Sequence, residues 1–258
     1  MLRGCETLSL DGREMLLDED GYLIVDTAIQ AVTLRGTDTR ADLRILVFGT
    51  ESAAMARALS SASNLPGAIF LPTLRSHGDT VCRQLERVER AADAGDASFE
   101  AEVLGLMHAM LDAELRLRRR SHAITAVKPA TRHELFRRIL VAADFIRSRY
   151  QQPLSLDDIA AAACLSRFHL LRLFEQVHGM TPHAYLASKR RTVALRLIQQ
   201  TRLGLDEIAM GCGFGTRSSL FRHLRSDLGA SGRTIRAARS HPPVSYPSEE
   251  AIECSTRA

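Results

Sequence analysis

The feature that most restricts what this chain can fold into is a local pattern that occurs twice in its C-terminal half. Leu156-Asp157-Asp158-Ile159-Ala160 returns as Leu205-Asp206-Glu207-Ile208-Ala209, an offset of 49 residues. Downstream, Arg172, Phe174 and Gly179 return as Arg222, Leu224 and Gly229, an offset of 50. The extra residue falls in a turn, where Ala163-Cys164-Leu165-Ser166 is answered by Cys212-Gly213-Phe214-Gly215-Thr216. Each copy reads as a short helix with a small residue at its crossing point, a tight turn, and a second helix with outward polar side chains. This is the layout of a helix-turn-helix unit, and two of them imply a module that meets a nucleic-acid duplex.

In the first copy Ser155 is placed to cap a helix over 156–163, and Asp158 three positions on completes a capping box. Ile159, Ala160 and Ala163 face inward. Ser166 caps the next helix, whose Leu170, Leu173, Phe174 and Val177 bury one side. That leaves Arg167, Phe168, His169, Leu171 and Arg172 for the outer side and flanks. Phe168 and Leu171 suit a thymine methyl, and Arg172 suits a guanine edge or a phosphate. The alternative for Phe168 is a satellite core position, and His169 fits a structural or phosphate-binding role better than base reading. In the second copy Thr216 caps a helix with Leu220, Leu224 and Leu228 inward and Arg217, Ser218, Phe221, Arg222 and Arg225 more outward. Arg217 and Ser218 suit base edges, Arg222 a base or phosphate, and Arg225 a phosphate. A helix over 182–200, with Pro182 at its start, joins the copies as a spacer. Lys189, Arg190 and Arg191 near its middle are available to neighbouring phosphates.

Charge is distributed to match. Residues 1–130 carry 15 basic and 19 acidic groups, residues 131–240 carry 18 and 8, and the last 18 residues carry one Arg and three Glu. The cationic segment is the one with the repeat, as expected of a part that approaches phosphates. The five cysteines (Cys5, Cys82, Cys164, Cys212 and Cys254) form no CxxC or Cys/His cluster, which predicts free thiols, no metal site and a reducing compartment. No apolar run approaches membrane-spanning length, and no charged region leads into an apolar one at the amino terminus. The expectation is a cytoplasmic protein with no membrane contact and no cofactor.

The amino-terminal part predicts short strands and turns over 1–75. Asp11-Gly12 and Asp20-Gly21 are turn signals, and Tyr22–Val25 and Leu43–Phe48 are short β-formers. Helices over 78–92 and 98–119 follow. The second carries an apolar stripe through Val103, Leu106, Met110 and Leu117, which fits either a core face or a homodimer interface. Residues 122–131 read as a linker, and a long helix over about 132–149 ends before Pro153. The fold class expected is α+β: a small antiparallel sheet with two helices, then an all-α domain. The organisation expected is 1–121 for sensing and dimerisation, 122–131 linking, 132–238 binding DNA, and 239–258 as a disordered tail.

Residues 132–238 resemble the DNA-binding domain of the AraC/XylS family of bacterial transcription regulators. The residues that carry the likeness are Leu156-x-x-Ile159-Ala160, Leu165-Ser166-x-x-His169-Leu170-x-Arg172-Leu173-Phe174 and Gly179-x-Thr181-Pro182-x-x-Tyr185-Leu186. It continues through Arg190, Ala194, Leu197-Ile198, Ile208-Ala209, Cys212-Gly213-Phe214, Phe221-Arg222 and Leu228-Gly229. The positions matching the family's DNA contacts are Phe168, Leu171, Arg172, Arg217, Ser218 and Arg222. Cys164 stands where the family's first turn usually has glycine. Gly232 and Ile235 stand where its closing segment pairs a proline with an aromatic residue. Leu8–Gly12 and Tyr22–Val25 resemble segments of the family's sensor domain, here a partial cupin-like barrel. The resemblance implies double-stranded DNA, a small-molecule effector, a homodimer and RNA polymerase as partners. Two other classes stay open: a DNA-alkyl transferase using a reactive cysteine, and a partner-binding protein that does not use its repeat on DNA.

Overall fold

The computed structural model describes residues 6–10, 13–17, 21–23, 32–35, 73, 75–76, 80–95, 97–126 and 128–228. The chain divides into two compact units, Leu2–Arg137 and Arg138–Ala258.

In the first unit, β1 (Glu6–Leu10) runs antiparallel to β2 (Arg13–Leu17), with Glu6 opposite Leu17 and Leu10 opposite Arg13. The other edge of β1 pairs with β4 (Val32–Arg35), giving the order β2-β1-β4. A separate pair joins β3 (Gly21–Tyr22) to β5 (Arg75–Ser76). The α+β reading with a partial cupin-like barrel is therefore corrected. The described residues are mostly helical, and their strands form two short ladders that share no strand. A barrel closes only when each edge strand finds a neighbour, and among the described residues β2 and β4 stay at the edges. Local β-formers and turn signals mark extended segments; they carry no information on closure. Leu43–Phe48 lies outside the described residues, as do the turn pairs Asp11-Gly12 and Asp20.

Helices α1 (Thr80–Ala94) and α2 (Phe99–Arg120) pack together. Val81 and Val88 of α1 meet Leu106, Ala109 and Met110 of α2, with Leu85, Val103 and Ala113 against them. Gln84 Nε2 donates to the Glu102 carbonyl (3.1 Å) and carboxylate (2.6 Å), and Arg87 pairs with the same carboxylate at 2.9 Å. A Cβ at Gly105 would come within 2.6 Å of Gln84 Nε2, so the two helices approach as closely as this glycine allows. The middle of the stripe read as a core face or a homodimer interface packs on α1 within the chain. Leu106 is 1 % exposed and Met110 9 %, both inside the α1–α2 core, with Val103 packed on it and Leu117 half-buried. α1 covers Leu106 and Met110 and leaves Val103 and Leu117 half-buried. Near its end α2 also buries an ion pair, Glu114–Arg118, at 2.7 Å.

A single 3₁₀ turn (Ser121–Ala123) and a short connection lead to α3 (Pro129–Ser148). The C-terminal unit consists of the later part of α3, then α4 (Leu156–Ala162), α5 (Arg167–His178), α6 (Pro182–Gln200), α7 (Leu205–Gly211) and α8 (Arg217–Leu228). Each start has a chemical cause. Ser155 Oγ accepts from Asp158 N while the Asp158 carboxylate accepts from Ser155 N, the reciprocal box expected. Ser166, Thr181 and Thr216 accept from His169, Ala184 and Ser219 amides. Gly204 has no side chain to offer, so α7 keeps only half of the box, Gly204 N donating to Glu207 at 2.6 Å. Phe136, Ile139, Ile146, Ile159, Leu170, Phe174, Val193, Ile198, Ile208 and Leu220 are buried.

Because Leu106 fills the α1–α2 core, Leu106→Ala should cost about 2–5 kcal/mol of stability. Leu106→Asp and Met110→Asp should abolish the cooperative unfolding of that unit in urea. Variants that keep wild-type unfolding while changing only sedimentation would return the stripe to an interface role.

Candidate nucleic-acid interface

Each bihelical unit is set by its turn. Leu165 N donates to Ala160 O at 2.9 Å, and Phe214 N donates to Ala209 O at the same distance, so the two turns close alike. Both need a left-handed residue. Gly213 supplies it with φ +78°, and Cys164 at the equivalent place adopts φ +52°. The cysteine therefore leaves the turn geometry intact and carries the strain itself. The extra residue of the second turn, Gly215, is left-handed too, with φ +73°.

A turn built this way holds α5 over α4 and α8 over α7 with one side free. On α5 Phe168 is 75 % exposed, which sets aside its satellite-core alternative, and an aromatic side chain left in water on such a helix suits contact with base edges. His169 and Arg172 are exposed and Leu171 is half-buried. On α8 Thr216, Arg217, Ser218, Arg222 and Arg225 are exposed, while Phe221 is half-buried beneath the Arg217 guanidinium, 5.4 Å from its ring centre. Arg172, Arg222 and Arg225 form no ion pair with described residues. Arg172 and Arg222 occupy the same step of the two repeats, so the fold brings two uncommitted guanidinium groups to equivalent places.

Three assigned residues have other engagements. Arg167 makes a two-pronged pair with Asp157, Nε to Oδ1 and Nη2 to Oδ2, and Arg217 lies 4.0 Å from Asp206. Arg190, expected on phosphates, points inward: Nε donates to Tyr150 O at 2.6 Å and Nη2 to Gln152 O at 2.7 Å. Burial lowers the Arg190 guanidinium from its ordinary pKa. A Cβ on Gly213 would sit 2.7 Å from Gln151 O and 2.9 Å from Tyr150 O, so glycine is required there by contact as well as by φ. Asp157 and Asp206 were missed by sequence reasoning. The available signal was that each repeat carries an acid and an arginine in matching places. Arg138, whose Nη1 donates to Cys164 O at 2.8 Å, had no such signal.

Helix α6 is more than a spacer. Tyr185 packs edge-on to Phe174 at 5.4 Å and near His178 at 5.0 Å, which fixes its first turns on α5. Val193, Ala194, Leu197 and Ile198 are buried toward its other end, where it meets α7 and α8.

Residues 159–238 match a family described as "Helix-turn-helix domain". The "Probable transcriptional regulator LumQ" of Photobacterium leiognathi is 31% identical over 88 residues, 34% of this chain and 36% of that protein. The activator RhaS of Klebsiella pneumoniae is 25% identical over 160 residues, 62% of this chain and 56% of that one. A solved AraC-type regulator from Chromobacterium violaceum shares 32% identity over 41% of this chain and 95% of its own, with a TM-score of 0.39. The activator AarP of Providencia stuartii is 31% identical over 92 residues, 36% of this chain and 68% of AarP. The chain belongs to the AraC/XylS family. It spans about a third of the length of LumQ and of the Pseudomonas aeruginosa regulator ArgR (36% and 29%). These relatives are named as regulators of transcription and not as enzymes.

Within an AraC/XylS chain the alkyl-transfer alternative needs a thiolate. Cys212 is fully buried, and burial pushes its thiol up to about 12, against the pull of Arg196 and Arg190. A protonated thiol in the core is no nucleophile. Cys5 and Cys254 lie outside the described residues. Among those residues no group of acids, histidines and cysteines could hold a metal ion, and no helix is long and apolar enough to cross a membrane. Gly232 and Ile235 also lie outside the described residues.

The left-handed turns make a paired prediction for chemical denaturation. Cys164→Gly should raise stability by up to about 1 kcal/mol, since glycine removes the Cβ strain at φ +52°. Gly213→Ala should lose about 2 kcal/mol or more, because positive φ and two carbonyls act against it together. Equal effects of the same sign would refute this account of the turns.

Proposed function

We propose that the chain is a sequence-specific regulator of transcription that lays α5 and α8 into successive major grooves on one face of double-stranded DNA. The observation that carries this reading is the pair Arg172 and Arg222: exposed, without ion-pair partners among the described residues, and at the same step of two equivalent helices. Each guanidinium can donate two parallel hydrogen bonds to a guanine O6 and N7. Phe168 supplies apolar contact to a thymine methyl beside the first, and Ser218 takes the equivalent place beside the second. Arg225 is suited to a flanking phosphate, whereas the same step of α5 holds Glu175, so phosphate attraction is weighted toward α8.

Helix α6 sets the spacing. Its 19 residues rise about 28 Å, comparable to the roughly 34 Å of one duplex turn. One chain can therefore engage two grooves without a second copy, and the reading does not depend on the α2 stripe. Residues 132–238 are the DNA-binding domain in this proposal, with 1–121 as the domain through which an effector acts. Likeness to AarP and RhaS, both named as activators, supports recruitment of RNA polymerase as the outcome.

The test is selection of bound fragments from the genome of origin, then footprinting. Protection should cover two adjacent major-groove segments per chain. Arg172→Ala and Arg222→Ala should each weaken the selected site by about 1–3 kcal/mol, with far less loss on scrambled DNA. Equal losses on both would make these arginines phosphate contacts, and a single protected segment would remove the second unit from the interface.

A further inference from the structure

The two repeats carry the same acid–arginine pair in different states. In the first unit Asp157, on the first turn of α4, takes both prongs of Arg167, the first residue of α5. In the second unit the equivalent Asp206 and Arg217 are 4.0 Å apart, and the Arg217 guanidinium lies over the Phe221 ring. We propose that Asp157 is a positioning residue that withholds Arg167 from DNA, so that the first unit reads through Phe168 and Arg172, whereas Arg217 is delivered to the duplex by the second unit. This rests on α5 and α8 being the DNA-facing helices.

Stability is a small part of what the first pair can do. Both partners remain more than half exposed (65 % and 58 %), and ion pairs in such surroundings contribute little to folding. Its consequence is electrostatic. An arginine at the first position of a recognition helix stands beside the DNA backbone and would add a phosphate contact that is the same for every sequence. Held by Asp157, its charge is cancelled locally and its Nε–Nη2 edge is occupied. Asp157 thereby lowers affinity for arbitrary DNA and leaves a larger share of the binding to the sequence-reading side chains. At 4.0 Å, with no hydrogen bond to Asp206, Arg217 keeps its donors unspent by that acid, and the Phe221 ring lies beneath its guanidinium.

The sign of the effect separates this from an ordinary surface ion pair that breaks when DNA arrives. The measurement is binding of the full chain to a short random-sequence duplex across a salt series, with circular dichroism to verify folding. Asp157→Asn should steepen the slope of log affinity against log salt by about 0.9, one added phosphate contact. The double variant Asp157→Asn/Arg167→Ala should return to the wild-type slope. In the second unit the double variant Asp206→Asn/Arg217→Ala should be shallower than wild type by about the same amount. The proposal is overturned if Asp157→Asn leaves the slope unchanged, or if the first double variant is shallower than wild type, since Arg167 would then already contact phosphate. It is equally overturned if the second double variant matches wild type. Wild-type binding with no salt dependence would instead remove the DNA-facing reading on which all of this rests.

Discussion

The geometry of the C-terminal unit depends on the Arg190 guanidinium. From the middle of α6 it donates to Tyr150 O and Gln152 O, carbonyls that follow the end of α3. The same stretch of backbone lies against Gly213, in the turn of the second unit. One side chain thus ties together the chain before the first repeat, the helix between the repeats and the turn inside the second. Carbonyls past a helix end have no partner within the helix, and a planar forked donor can satisfy two of them together. With that contact made, the apolar faces of α6 can seat on α5 at one end and on α7 and α8 at the other. The two helix-turn-helix units thereby pack into one compact unit.

The repeats are equal as folds and unequal as surfaces. Their turns close with the same 2.9 Å hydrogen bond and the same left-handed residue, although one is a cysteine and the other a glycine. Their outward steps differ: Phe168 against Ser218, Leu171 against Phe221, Glu175 against Arg225. Backbone requirements fix the positions that must match, and the exposed steps are released from that constraint.

In the amino-terminal unit the helices account for most of the described structure. The α1–α2 pair buries its own stripe through Val81, Val88, Leu106 and Met110 and adds the Gln84–Glu102–Arg87 contacts at its edge. A helix with an apolar face needs a partner, and here a segment of the same chain, only a short connection away, provides it. The strands beside them make short ladders with unpaired edges among the described residues.

The sequence alone determined the helices of the C-terminal unit and the caps at Ser155, Ser166 and Thr216, because these follow from short-range rules: apolar periodicity, hydroxyl and carboxylate caps, and glycine or a tolerated substitute at a left-handed turn. The doubling of the motif made the reading firm, since each copy checked the other. Tertiary structure decided the rest. Arg190 looks like any basic residue on a polar face until α3 and α6 are brought together and its donors meet carbonyls about 40 residues away. Arg167 and Arg217 look interchangeable until one proves gripped by two prongs on the acid of the preceding helix and the other stands 4.0 Å from its acid with no hydrogen bond. Leu106 and Met110 look available to a second copy until α1 covers them. In each case the residue type and its local spacing are the same in both outcomes, and the deciding partner is remote in sequence, so only the folded chain can choose between them.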